Sequence, residues 1–570
     1  MKNRLAAAAL TLVLATGLLF AAGVPAFADH PSEGGAVPVP APAFQSGGGT
    51  WKSLGTFLTG NPHTDLDFFT QGGETFVSAG TLGNTGPNSG GQTILQLTEN
   101  GQAENSLGQT NASFVAGHPS AFIGCPANPL ATLGLQHDVE ATPKGSVLFN
   151  THVPGADRRD AQLLLDASDA PGRCHDGGSL SVAGSVPRGG IEIVDITDVD
   201  NPVEIGLTSH IGEGHTVNVD PRRPHIVYVV SSDSVGRNAD GSRSNENTTS
   251  TNRYRLDGFE VMDISSCMDF PEGTSVADKR EECRPEVYRY RYPTSEFALG
   301  TVVETGSAAI YGCHELEIYP EDKMTCGSGA AMLLLDIAGA FDNNGTPNVF
   351  TDDGLNGTPL PCRVRNSTSA APFQTGAKVT DCVIGQGNQD LGIPGWQSIG
   401  SPSLAGVQKI GAAHHMGRGG PRPSTEDNDF DHEAELTHSR NFVMTTDERG
   451  GGVVPPGATC ATGVDNPQGN GGVQAHAVAR LDTTRPATFT EADDTYARTP
   501  SGDKAIIRVE PRTGPEATTC TAHVFQQIPG QNRIFMGWYS QGTQVIDYIE
   551  YPDGTFEFRN VAHFIPVDTN

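Results

Sequence analysis

The sequence predicts an all-β chain, a single β-propeller of six blades with seven as the alternative, each blade made of four antiparallel strands. Three observations point there. Of 570 residues, 70 are Gly and 39 are Pro while 18% are charged, a composition that disfavours a mostly helical protein. A short strand marked by a His, followed by a second apolar strand, recurs six times. In most repeats a third strand follows, opened by Gly or Ala and closed by Asp. Short antiparallel strands repeated in sets of four form propeller blades.

The first strands open at His63-Thr64-Asp65-Leu66, His137-Asp138-Val139-Glu140, His215-Thr216-Val217-Asn218, His314-Glu315-Leu316-Glu317, His432-Glu433-Ala434-Glu435 and His523-Val524-Phe525-Gln526. The second strands are expected near Thr75, Val147, Ile226, Met324, Phe442 and Ile534, 10 to 12 residues after each His. Third strands close on Asp195, Asp263, Asp336, Asp482 and Asp547, while the first unit has Gln96 at that place. More polar outer strands follow, after Asn201, after Pro285 and near the C-terminus.

Residues 190–202 read GIEIVDITDVDNP, and on them the chain resembles the secreted LVIVD-repeat β-propellers, whose Gly-x-x-hydrophobic-hydrophobic-Asp strand precedes an Asn-Pro turn. The resemblance covers most of residues 50–570, although units three, four and six lack the Asn-Pro turn. It implies a fold more than an activity. The 118 residues from His314 to His432 are where a seventh blade would have to sit. Pro361 to Gly400 within them reads as a stapled surface insertion, so insertions are expected near 234–253 and 340–425.

Lys2 and Arg4, an apolar run from Leu5 to Val24 and the small-residue site Ala26-Phe27-Ala28 read as a signal peptide over residues 1–28. A flexible segment (29–49) and the propeller (50–570) follow, and the expected location is secreted. Ten cysteines, all beyond residue 28, suit disulfides, with Cys267–Cys283 and Cys362–Cys382 as the economical pairs. A formal net charge of −30 argues against a nucleic-acid partner, and no later segment reads as a membrane insertion. A closed propeller needs no second copy, so a monomer is expected.

Blade symmetry would bring His63, His137, His215, His314, His432 and His523 into one ring lining a central channel. Neutral imidazoles bind first-row transition metals, and the affinity order favours copper over zinc or iron. Asp65, Asp138, Glu140, Glu315, Glu317, Glu433 and Glu435 stand close enough in sequence to accept the outer ring N–H groups or, individually, to add only charge. His414, His415, His438, His476 and His152 are weaker candidates, read as loop residues near the channel mouth. No Gly-x-Ser-x-Gly elbow, phosphate loop or His-Glu-x-x-His segment occurs. The function expected is therefore a metalloenzyme, a copper-dependent oxidase of a small molecule. The alternative is a non-catalytic propeller that binds an extracellular protein.

Overall fold

The computed structural model describes residues 43–47, 63–81, 92–97, 112–118, 135–143, 145, 147–153, 190–208, 215–230, 234–235, 258–291, 310–329, 331–360, 362–366, 378–382, 404–415, 430–448, 471–483, 495–509 and 521–567. Residues 1–28 and most of the 234–253 stretch lie outside them. Among the described residues the chain is all-β, and its strand pairs are antiparallel save one. No helix there is long and apolar enough to cross a membrane.

Six four-stranded meanders follow one another. Unit one comprises His63–Gln71, Glu74–Thr81, Gln92–Leu97 and Ala112–His118. Its first hairpin turns through Gly72 and Gly73, both at positive φ, as a two-residue turn between twisted strands requires. Unit two comprises Leu135–Ala141, Val147–Val153, Gly190–Asp195 and Val203–Thr208. Unit three comprises Val217–Val219, Ile226–Val229, Gly258–Asp263 and Glu286–Arg291. Unit four comprises Ile310–Tyr319, Lys323–Gly329, Ala331–Asp336 and Gln408–His414. Unit five comprises Asp431–Leu436, Phe442–Asp447, Val473–Ala477 and Ile506–Ile507. Unit six comprises Phe525–Gln527, Arg533–Gly537, Thr543–Glu550 and Phe556–Val567.

The recurrent Asp closes a strand by a local turn. Asp195, Asp263 and Asp336 each accept the backbone N–H two residues on, from Thr197, Ser265 and Ala338, so the carboxylate competes with a further ladder bond and ends the strand. Asp547 instead pairs with Arg533 across the ladder.

Four local features add to or depart from the sequence reading. The third strand of unit five is Val473–Ala477, and the segment leading to Asp482 is a 3-10 turn, Val478–Arg480. Gln408–His414, inside the 340–425 stretch read as an insertion, supplies the outer strand of unit four by pairing with Ala331–Asp336. The presumed surface staple forms a hairpin, Cys362–Asn366 with Lys378–Cys382, that extends the sheet of unit two through the one parallel pairing. Residues Ala43–Gly47, within the segment read as flexible, add a fifth strand antiparallel to Phe556–Val567.

Strand alternation explains how the units join. In unit three, Ile226, Tyr228 and Val230 pack with Leu316, Ile318 and Leu333 of unit four, while Val227 and Val229 pack with Ile191, Ile193 and Ile205 of unit two. Both faces are buried, which is why these strands read as continuous apolar runs rather than alternating ones. Five such clusters span the joints from unit one through unit six.

The first strands of units one, two, three and six each end their sheet, so among the described residues one edge of each carries no further strand. Carboxylates of the preceding unit supply acceptors along that edge. Ala141 N–H donates to Asp67 Oδ2 (2.8 Å), Val217 N–H to Asp138 Oδ2 (2.7 Å) and Phe525 N–H to Glu433 Oε2 (2.6 Å). Glu140 accepts from the Val219 backbone in the same way. At the joint of units three and four Thr216 Oγ1 donates to Glu315 Oε2 (3.0 Å), with the His314 carbonyl at 3.3 Å, and at the next joint Leu436 N–H donates to Tyr319 Oη (2.6 Å).

Disulfides tie Cys267 to Cys283 in unit three and Cys313 to Cys326 in unit four, which fits an oxidising compartment. Cys362 and Cys382 are register partners, and their side chains lie outside the described ones.

Two outcomes test this arrangement. Asp138→Ala leaves the buried Val217 N–H without its acceptor and is expected to cost about 1–3 kcal/mol in denaturant unfolding, whereas Asp138→Asn, which keeps an acceptor oxygen, retains most of it. Replacing Cys267 and Cys283 by Ser releases a loop with a sequence separation of 16 and is expected to cost about 3 kcal/mol in the same assay.

Candidate metal centre

Every one of the six repeat histidines sits where its inner strand leaves regular pairing. The register shifts between His63 and Leu66, between Gln136 and Val139, between Ile310 and Glu315, and between Asp431 and Ala434. His215 and His523 stand two residues before their strands, each donating its backbone N–H back into its own unit, to Val230 O and Gly537 O. Bulges and strand starts re-aim side chains, so the imidazoles are not bound to the alternation that seats their neighbours in the joints. Gly327 marks how tightly two units meet here: a Cβ on it would lie 2.0 Å from the His432 carbonyl oxygen.

Four of the six side chains form a row that passes from unit to unit. Ring centroids are 4.5 Å apart for His215 and His314, 4.6 Å for His314 and His432, and 4.2 Å for His432 and His523. His215, His314 and His432 are each 0% exposed, and His523 is half-buried at the end of the row. Phe430 packs edge-on against His314 at 4.9 Å. The donor atoms of His215, His314 and His432 all lie within 4.8 Å of one another, as do those of His432, Glu448 and His523. Metal–nitrogen bonds of about 2.0–2.1 Å require donors that converge on this scale. His63 and His137 occupy the equivalent backbone positions, and their side chains lie outside the described ones.

Several of the carboxylates next to the histidines bind groups across the joints between units. Asp138, Glu140 and Glu433 face the following unit and bind its backbone from strand positions alternate to the joint-facing apolar residues, whereas Glu315 Oε2 accepts from Thr216 Oγ1 of the preceding unit (3.0 Å). In unit five, Ala434 and Leu436 pack on unit four, while Glu433 and Glu435 reach Phe525 N–H and Gln527 Nε2 (2.5 Å) of unit six. Burial raises the pKa of Asp138, Glu140, Glu433 and Glu435 well above the usual carboxylate range, and nearby acids add to it. Burial also pushes Asp67 up to about 6 and Glu317 up to about 7.

Glu448 and Tyr539 escaped the sequence reading. The second strand of unit five runs FVMTTD into Glu448, whereas its counterparts, such as KMTCGSG and RIFMG, carry no acid at their ends; aligning the repeats on their histidines would have exposed it. His414 and His415, expected in a loop, end the outer strand of unit four and are buried. There His415 Nε2 lies 3.1 Å from Asp431 Oδ2, and Nδ1 lies 3.2 Å from Tyr496 Oη. His476 packs beside both rings, at 5.2 Å from His415 and 4.6 Å from Tyr496. Those partners are far apart in sequence, so no local spacing announces them. His438 lies at the far end of unit five against the Ile528 carbonyl (2.9 Å).

No family model matches the sequence, and no curated protein matches it. Among solved structures, the chain is similar to Sqt1 of Saccharomyces cerevisiae at 7% identity and TM-score 0.31, over 89% of this chain and 97% of that one. It is similar to a protein from Lactobacillus plantarum at 10% identity and TM-score 0.27, over 76% and 82%. It is also similar to prolyl oligopeptidase B from Galerina marginata at 8% identity and TM-score 0.27, over 89% of this chain and 52% of that one.

The raised carboxylates set the sign of the pH dependence. Between the unfolded value of 4.5 and a native value of about 7, Glu317 binds its proton more tightly in the folded chain; Asp67 does so between 3.8 and about 6. Their contribution to stability is therefore largest at low pH and is lost as pH rises through about 6 to 7. The melting temperature is expected to climb as pH falls from 8 to 5, and Glu317→Gln to flatten that climb, both read by calorimetry.

Proposed function

We propose that the chain is an exported propeller of the LVIVD-repeat kind that holds a transition-metal ion among His215, His314, His432 and His523. The convergence of three buried imidazoles from three successive units carries this reading. Neutral imidazole nitrogens suit copper, zinc, iron or nickel, and copper heads the affinity order. A redox-active ion at this place would supply electron-transfer chemistry for oxidising a small molecule. Within the chain, the half-buried His523 is the end of the row a small molecule can reach, and the acidic surface favours neutral or cationic substrates over anions.

Ring closure belongs to the same proposal. Leu66 and Phe68 of unit one, at strand positions that other units bury in a joint, are 53% and 59% exposed. The strand Ala43–Gly47 on unit six tethers that unit to unit one through residues 48–62. Docking of unit six on Leu66 and Phe68 would close the ring and carry His63 and His137 to the level of the other four.

A second reading, a non-catalytic propeller whose loops bind an extracellular protein, draws support from the complete burial of His215, His314 and His432, which leaves a substrate little access to them. Elemental analysis of the purified full chain separates the two. Near-stoichiometric transition metal, lost in the double variant His314→Ala/His432→Ala at unchanged far-UV circular dichroism, is expected. A folded, metal-free protein that takes up no copper, zinc or iron would leave only the binding reading.

A further inference from the structure

The histidine row offers two overlapping donor sets, and they differ in chemistry. One is all imidazole. The other, His432, Glu448 and His523, joins two imidazoles to a carboxylate from the end of the second strand of unit five. We propose that the reactive ion position is this second set, a two-histidine, one-carboxylate site for a borderline divalent ion such as Fe(II), Mn(II) or Co(II), positioned by Tyr539. The proposal rests on the metal-binding reading above and specifies its ligands.

Several features build this end of the row. Glu448 is fully buried, and its two oxygens are distinguished: Oε1 accepts the Tyr539 hydroxyl, while Oε2 turns toward His432 Nε2 at 3.9 Å. Tyr539 also sets its ring perpendicular to that of His523 at 5.4 Å, so one side chain orients two of the three donors. Its backbone is held at φ 38°, in the left-handed region that a bulky residue avoids. A tight turn enforces this, with Trp538 N–H donating to Gly542 O and Gly542 N–H to Tyr539 O (2.9 Å each). Strain of this kind persists where the surrounding structure fixes a side chain that function needs, and here it aims a hydroxyl and a ring at the donors.

Charge favours the same position. Three neutral imidazoles leave a buried divalent ion with its full charge, whereas one carboxylate ligand halves it and lowers the cost of taking the ion out of water. Two histidines and a carboxylate with open positions suit Fe(II)-type ions. The half-buried His523 puts those open positions on the accessible side of the row.

The test is equilibrium dialysis of metal-stripped full chain against Co(II) and Mn(II), with bound metal measured directly. Glu448→Gln is expected to weaken binding by about 10- to 100-fold. Tyr539→Phe, which keeps the ring and removes the hydroxyl, is expected to weaken it about tenfold while the metal-free protein keeps the far-UV circular dichroism of the parent. Should Glu448→Gln fail to fold, Tyr539→Phe carries the test. Loss in Glu448→Gln alone keeps the ligand set and removes the role of Tyr539. Unaltered binding in both variants, with loss in His314→Ala/His432→Ala, overturns this ligand set and leaves the metal-binding reading in place. No uptake by the parent chain defeats both.

Discussion

The first strands of units two, three and six have to satisfy backbone donors on an edge that, among the described residues, no further strand covers, and they must do so inside the molecule rather than in water. Buried carboxylates from the preceding unit meet that constraint at three of the five joints, through Asp67, Asp138, Glu140 and Glu433. An unpaired buried N–H costs about 1–3 kcal/mol, so each acceptor matters to the joint it spans. Acids carried at such depth also make the fold sensitive to pH, since burial favours their neutral forms. The acids act at the joints, while the imidazoles at the bulges and strand starts meet one another.

Bulges are the device that separates these two tasks. A regular strand would hold His432 to the strict alternation that sends Glu433 and Glu435 to one joint and Ala434 and Leu436 to the other. The register shift between Asp431 and Ala434 breaks that alternation at His432. Equivalent shifts in units one, two and four recur at the same place. The disulfide from Cys313 to Cys326 binds the inner strand of unit four to its neighbour one residue before His314. A donor set supported by bulges, a cross-strand disulfide and the close approach at Gly327 is fixed by backbone rather than by side-chain adjustment, which is what a preorganised site requires.

Much of the architecture was legible in the sequence because its periodicities are strong. The second strands start within a residue of the positions expected from the histidines, and the third strands of units two, three and four, opened by Gly or Ala and closed by Asp, fall where the motif places them. Unit five broke the rule because AVARLD has strand-like composition, yet it turns in a 3-10 segment once Val473–Ala477 has taken the ladder. The parallel addition of Lys378–Cys382 to unit two was invisible, since it joins segments more than 150 residues apart without local signal. For the centre, residue type and repeat position identified the histidines. The role of the acids stayed open in the sequence, because deciding whether Asp138 or Glu433 faces a ring or a backbone needs knowledge of which unit lies on each face. Glu448 and Tyr539 are single occurrences outside the repeat, and their part in the site depends on a turn whose strained backbone no composition reveals.

We propose the histidine row at the meeting of units three to six as a metal centre. Anomalous diffraction from crystals of the full chain loaded with Co(II), collected on both sides of the cobalt edge, tests it most directly. The account predicts one difference peak at bonding distance, about 2.0–2.2 Å, from imidazole nitrogens of this row. Loaded crystals with cobalt only at surface residues, and a row of imidazoles that bond to one another or to the surrounding chain, would contradict it.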